Sequence, residues 1–164
     1  VKGAIPVKAL GALRAGDRLL VSTGREPGSG APYCRLLGGR VEAGETAAEA
    51  LAREVEEELG LAIEVGGLAW VVENRFLFDG RPGHELLLVF PCRARARDWP
   101  GPGPVVPREA DLTLDWVRVD DLRRGAVPFV PPVLGAALAG EPPPAGLVRH
   151  LVQDVRDPRW EPRR

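Results

Sequence analysis

Between Gly38 and Leu61 the chain reads GGRVEAGETAAEALAREVEEELGL, and this stretch limits what the rest can fold into more than any other. At about 100° per residue, Ala48, Leu51, Val55 and Leu59 fall on one apolar stripe, which predicts a helix from about Thr46 to Leu59. Gly60 stands where a left-handed C-cap ends such a helix. A helix with one apolar stripe must bury it against a sheet or another helix. The flanking sequence offers a sheet. Residues 3–14 and 17–22 read as strands around Ala15-Gly16-Asp17, followed by a loop at Gly24–Ala31. Tyr33–Leu37 reads as one short strand ending at Gly38-Gly39. Leu61–Val65, Leu68–Phe78, His84–Arg95 and Leu112–Val119 read as further strands, with a turn at Asp79–Gly83 and a loop over 98–108. Short helices are expected at Asp120–Arg124 and near Pro131–Ala139. Leu147–Val155 fits a strand or a helix. The expected class is α/β, with strands surrounding one long helix.

The 164 residues suffice for one domain with a real core, spanning 1–164 with 158–164 as a loose tail. A net charge of -1 gives no basic field, so no nucleic-acid partner is expected. No apolar run approaches the ~20 residues of a membrane span, and the N-terminus lacks a leader pattern, so the expected location is cytoplasmic. Cys34 and Cys92 have no CxxC spacing and read as isolated buried thiols.

The helix carries more negative charge than folding requires. Seven glutamates fall between Gly38 and Leu61. Glu54, Glu57 and Glu58 stand at i, i+3 and i+4 and share a face, whereas Glu56 projects the other way, near Glu49. Like charges at these spacings repel, and they lie toward the helix C-terminus, the unfavourable end for anions. A solvated acidic face is the plainer reading of a Glu-rich helix. A divalent cation reverses the sign of the repulsion. Oxygen ligands without His or Cys suit Mg²⁺, with Mn²⁺ as a substitute. Arg53 is placed to pair with Glu57 and fix its orientation. Gly38, Gly39 and Gly44 allow tight turns ahead of the helix.

The spacing Gly39, five residues, Glu45, seven residues, Arg53-Glu54-Val55-Glu56-Glu57-Glu58-Leu59-Gly60-Leu61 resembles the Nudix box at every defined position. The one departure is Leu37, where many members of the family have Pro. The resemblance implies an α/β/α sandwich with a mixed β-sheet and the box as loop–helix–loop. It implies an Mg²⁺-dependent pyrophosphohydrolase acting on a nucleoside diphosphate linked to another moiety. Nucleotide sugars, ADP-ribose, dinucleotides and nucleoside di- or triphosphates all qualify. By position, Glu54, Glu57 and Glu58 would hold the metal, with Glu45 helping from the loop. Arg53 would orient a glutamate, and Gly39 would shape the loop around substrate. Glu57 or Glu54 would be the general base, with Glu85 as a candidate outside the box. Dimers are frequent in the family, which makes a homodimer the expected assembly.

Outside the box, Glu73–Phe90 looks like a hairpin and resembles a stretch found in a subset of the family. Glu85 opens its second strand, where a carboxylate can either reach the metal cluster or be merely solvated. Arg75 and Arg81 are candidate phosphate ligands. Phe76, Phe78 and Trp70 are candidate base-stacking residues, although aromatic strand residues are more often core. Arg25 sits in a loop and His84 beside Glu85; both are candidate substrate contacts. Two other functions stay open. One is a non-catalytic nucleotide-binding or regulatory Nudix domain, which the full set of glutamates disfavours. The other is a hydrolase that removes oxidised nucleoside triphosphates.

Overall fold

The computed structural model describes residues 4–78, 80–95 and 103–155. Its strands are β1 (Val7–Ala15), β2 (Arg18–Arg25), β3 (Pro32–Arg35), β4 (Leu37–Arg40), β5 (Ile63–Val65), β6 (Trp70–Phe78), β7 (Arg81–Ala94), β8 (Thr113–Arg118) and β9 (Arg149–Asp154). The helices are α1 (Ala47–Leu59), α2 (Val119–Arg123) and α3 (Pro132–Leu138). None is long and apolar enough to cross a membrane.

β1 joins two branches of the sheet. Lys8–Gly11 pair antiparallel with β4, and Val7–Leu13 pair parallel with β7. Only Arg14 and Ala15 pair with β2, which continues into β3 and β8. β6 lies between β7, antiparallel, and β9, parallel. The sheet is therefore mixed.

Alternation along the strands builds two cores, one on each face. Ala9 and Leu13 of β1 and Phe90 and Cys92 of β7 pack against Leu51, Val55 and Leu59 of α1. Leu10, Ala12, Trp70, Val72, Leu87 and Val89 enter the opposite core with Leu122 of α2 and Leu134 and Leu138 of α3. This is an α/β/α sandwich, the architecture the resemblance implies.

The start and stop of α1 follow from the sequence. Thr46 accepts a hydrogen bond from Glu49 N at 3.3 Å, and Glu49 Oε2 accepts from Thr46 N at 2.7 Å. This reciprocal capping box satisfies two otherwise orphaned donors. Gly60 ends the helix at φ 69, and its N–H donates to Glu56 O at 2.8 Å. The last turn holds no basic residue. Its cation comes from Arg108, which donates to the Glu56 carbonyl at 3.2 Å and to its carboxylate at 3.3 Å.

Three details differ from the sequence expectation, and one alternative it left open is settled. The predicted strand Tyr33–Leu37 breaks at Leu36 into β3 and β4, which belong to different branches. Gly38 and Gly39 are strand residues of β4, not the turn after a strand. The predicted turn at Asp79–Gly83 is strand from Arg81 onward. Pro82 is tolerated because β7 has β1 as its second neighbour only from Leu86. Finally, Leu147–Val155 resolves to a strand, β9, running parallel to β6. Residues 98–102 of the expected 98–108 loop, and the expected tail 158–164, lie outside the described residues.

Gly38 is the least replaceable of the β4 positions. Its φ is +119, and a Cβ there would collide with the Ala9 carbonyl across the ladder. Gly38→Ala is expected to cost about 3 kcal/mol, lowering Tm by roughly 6–12 °C in a chain this size. Gly67→Ala, where a Cβ meets nothing within 4 Å, is expected to leave Tm unchanged. Parallel thermal melts of the two variants check this.

Candidate functional site

The buried stripe of α1 is wider than the apolar stripe in the sequence. Ala50 is completely buried, while Ala48 is not. Successive steps of four residues advance about 40° around a helix, so Ala50, Glu54 and Glu58 form one row. Two carboxylates thus continue a fully buried alanine toward the sheet. Room for them comes from β4. Gly39 lies directly under the Glu54 carboxylate, and a Cβ at that position would occupy its place. Leu51, in the neighbouring row, closes over Gly38 in the same way.

Arg53 gathers three carboxylates. Its Nε donates to Glu45 Oε2 at 3.2 Å, and one terminal nitrogen donates to Glu45 Oε1 at 2.8 Å. That nitrogen also reaches the Arg40 carbonyl at 3.2 Å. The other nitrogen donates to Glu54 at 3.0 Å and Glu57 at 3.3 Å. A planar fork of donors suits this bidentate geometry in a way an ammonium cannot. The pairs raise the Arg53 pKa, chiefly through the bonds to Glu45 and Glu54. They also hold Glu45 below the usual carboxylate range, with help from the Glu42 amide, which donates to Glu45 at 2.8 Å. The sequence expectation paired Arg53 with Glu57; the closer contacts are to Glu45 and Glu54.

Glu58 behaves differently. Burial, then repulsion from Glu54, pushes its pKa up to about 7, against a bond from the Gly38 amide that favours the charged form. Its Oε2 is buried without a hydrogen-bond partner. Glu109 adds repulsion and Arg35 attraction. Sequence reasoning missed both residues. Glu109 arrives because Arg108 N donates to Glu58 O at 2.7 Å, anchoring that segment to the helix end. Arg35 carried one legible signal, an arginine just ahead of the paired glycines. Glu57 is the most open of the set, its side chain 56% exposed.

The remaining candidates lie elsewhere. Glu85 is not brought to the α1 carboxylates. It alternates in register with Leu87 and Val89, which enter the opposite core, and is bound by Lys8 at 2.7 Å and Asn74 at 2.9 Å. Arg75 pairs with Asp154 at 2.6 Å on the β6–β9 edge. Arg81 is exposed at the start of β7, opposite Phe78. Phe76 lies over Gly83, and Phe78 meets Tyr33 edge-to-face at 6.2 Å. Trp70 is core. Arg25 donates to the Gly30 carbonyl at 2.9 Å within its own loop.

Among the described residues, no three His, Cys, Asp or Glu side chains already stand as a closed metal shell. The donor set nevertheless fits a hard divalent ion. It is all oxygen, it includes the orphaned Oε2 of Glu58, and such ions keep waters and take substrate oxygens to complete their shell. Glu58 and Glu54 are the residues that would hold it, with Glu45 and Glu57 joined to Glu54 through Arg53.

The elevated Glu58 pKa predicts a pH dependence of stability. The folded state keeps a proton up to about pH 7, whereas the ordinary value is 4.5. Unfolding therefore releases a proton between these values, and stability falls as pH rises through that window. Gln at 58 removes the loss. With chelator present, Glu58→Gln is expected to match wild type at pH 4 and exceed it at pH 8. Discounted for solvent screening, the gain is on the order of 1 kcal/mol, or about 2–4 °C in Tm. Melts at the two pH values check the sign.

Known proteins resemble this chain in sequence and in fold. The chain matches the family model described as NUDIX domain over residues 5–136. Two curated relatives from Klebsiella pneumoniae, both named NAD-capped RNA hydrolase NudC, are 34% and 33% identical over 120 residues. The matched region is 73% of this chain and 36% of theirs, so the chain spans about a third of the length of these relatives. A MutT NUDIX hydrolase from Burkholderia pseudomallei is 28% identical with TM-score 0.55, covering 71% of this chain and 85% of that one. An ADP-ribose pyrophosphatase from Streptococcus suis is 18% identical with TM-score 0.57, covering 92% of this chain and 100% of that one; this is a likeness of fold alone. With the sandwich in place and the family match running through most of it, the chain belongs to the Nudix hydrolase family.

Proposed function

We propose that this chain is a Mg²⁺-dependent pyrophosphohydrolase that cleaves a nucleoside diphosphate linked to another moiety, with Mn²⁺ able to replace Mg²⁺. The observation that carries this reading is the Glu54–Glu58 pair. Two carboxylates stand in a partly buried row, they repel each other, and one oxygen has no partner. Folding gains nothing from that arrangement, and a divalent cation relieves it.

Each residue then has a distinct task. Glu54 and Glu58 hold the ion, which when bound neutralises phosphate oxygens and favours in-line attack by water. Arg53 fixes Glu54 and the loop carboxylate Glu45 relative to each other. Gly39 leaves room over the β4 backbone for the Glu54 carboxylate. Glu57, exposed and held by Arg53 at the longest of its contacts, 3.3 Å, takes the proton from the attacking water. Glu54 is the alternative base. Glu85, across the sheet, has no part in this step.

The test is a substrate panel with Mg²⁺, Mn²⁺ or chelator, products identified by mass. The panel includes ADP-ribose, NAD and NAD-capped RNA, nucleotide sugars, dinucleoside polyphosphates, and normal and oxidised nucleoside triphosphates. Metal-dependent release of a nucleoside phosphate from one class is the expected result. Protection of the fold by these ligands with no cleavage would instead support a binding domain. Glu57→Gln and Glu58→Gln are each expected to lower kcat by about 10²–10⁴-fold while the protein stays folded. Unchanged turnover in both at saturating Mg²⁺ would sink the assignment.

A further inference from the structure

On the face of the sheet opposite α1, three polar side chains from three adjacent strands meet at the β6–β7–β1 junction. Asn74 of β6 and Glu85 of β7 are direct cross-strand partners. Asn74 Nδ2 donates to Glu85 Oε1 at 2.9 Å, and Lys8 Nζ meets Glu85 Oε2 at 2.7 Å. Asn74 is only 5% exposed, and its Oδ1 is buried with no hydrogen-bond partner. Flipping the amide would not help, because its oxygen would then face a carboxylate that has no proton to donate. An ion pair between Lys8 and Glu85 is complete without Asn74. A buried, unpaired carboxamide oxygen is costly and calls for a donor from outside the fold.

The surroundings say what kind of donor. Phe76, two residues on from Asn74 and on the same face, lies over Gly83 of the neighbouring strand, where any Cβ would strike its ring. Two residues of strand span about 7 Å. An aromatic surface thus stands one purine's breadth from a set of hydrogen-bonding groups. That set holds an acceptor without a partner, a carboxylate with lone pairs to spare, and an ammonium with protons to spare. The cluster is not sealed, since the Lys8 side chain is 31% exposed. One ladder step links it to the α1 side of the sheet. Lys8 is the ladder partner of Arg40, whose carbonyl receives Arg53.

We propose that Asn74, Glu85 and Lys8, with the ring of Phe76, form a nucleobase-recognition site selective for bases bearing an exocyclic amino group. The amino protons satisfy Asn74 Oδ1 and the Glu85 carboxylate. Lys8 donates to an adjacent ring nitrogen or carbonyl, and the base stacks on Phe76. The assignment deepens the hydrolase reading and rests on it for the nucleotide class of the ligand.

The test is calorimetric titration of nucleoside monophosphates in chelator, where turnover does not interfere. AMP and GMP are each compared with IMP, and CMP with UMP. At least one amino-bearing member is expected to bind about tenfold or more tightly than its counterpart, because a site built around an amino group rejects the analogue lacking it. Asn74→Leu and Glu85→Gln are expected to reduce that ratio to within about twofold. Asn74→Leu also removes an unsatisfied group, so its Tm is expected to hold or rise. Glu85→Gln keeps the shape of the cluster should Asn74→Leu fail to fold. Equal binding within every pair, no measurable binding, or selectivity that survives in the folded variants overturns the proposal. Metal-dependent hydrolysis without base selectivity would remove this inference and leave the hydrolase intact. Base selectivity without hydrolysis would do the reverse.

Discussion

Glu54 and Glu58 continue the row of α1 that begins with the buried Ala50, and a helix can press such a row against a sheet only where the strand beneath has no side chains in the way. β4 meets that condition with Gly38 and Gly39. The close approach leaves Glu54 on the β4 backbone and puts the Gly38 amide within reach of Glu58. The pair of glycines is therefore less a flexible loop than a gap cut to fit two carboxylates. The demand for glycine at position 38, the burial of Glu58 and the repulsion between the two acids all go with that one contact.

Arg53 makes the arrangement tolerable at one end and leaves it unresolved at the other. Its fork ties Glu45, Glu54 and Glu57 together, and its bonds to Glu45 favour the ionised form of that carboxylate. Glu58 receives no such partner. It has the Gly38 amide on one side and an unpaired oxygen on the other. Charge is thus sorted between the loop carboxylate Glu45 and the later turns of α1. Three acids share a cation supplied by the chain, and the fourth is held in a medium that disfavours its charge. The same chemistry recurs in another form across the sheet, where Lys8 satisfies Glu85 while the Asn74 oxygen stays unpaired.

Much of this was legible in the sequence, for identifiable reasons. The limits of α1 were, because a capping box and a left-handed glycine are local signals. The shared side of Glu54 and Glu58 was, because helical spacing is fixed, although Glu57, grouped with them from the sequence, is the most open of the set. Three features were not. The break at Leu36 depends on β3 and β4 pairing with different strands, a non-local choice that a five-residue apolar run does not encode. Gly and Pro at 80–83 signal a turn wherever they occur, but the hairpin carries its ladder through Pro82 because β7 has a free side there. Glu85 looked like a metal candidate because residue type and strand-end position say nothing about which face of the sheet a side chain takes. That follows only from the register with Leu87 and Val89.

The Arg108 contact bears on how the chain reaches this state. α1 begins with its own cap, but its last turn, acidic and without a basic residue, is completed by a cation 52 positions along the chain. A peptide comprising the helix alone would nucleate well at Thr46 and fray near Glu56, where the dipole and the side chains oppose each other. The final turn becomes firm only when the segment from Gly103 to Leu112 closes over it. Such a closure carries the entropic cost of a long loop. The end of the helix that bears the acids is thus completed by residues that have no place in the motif itself.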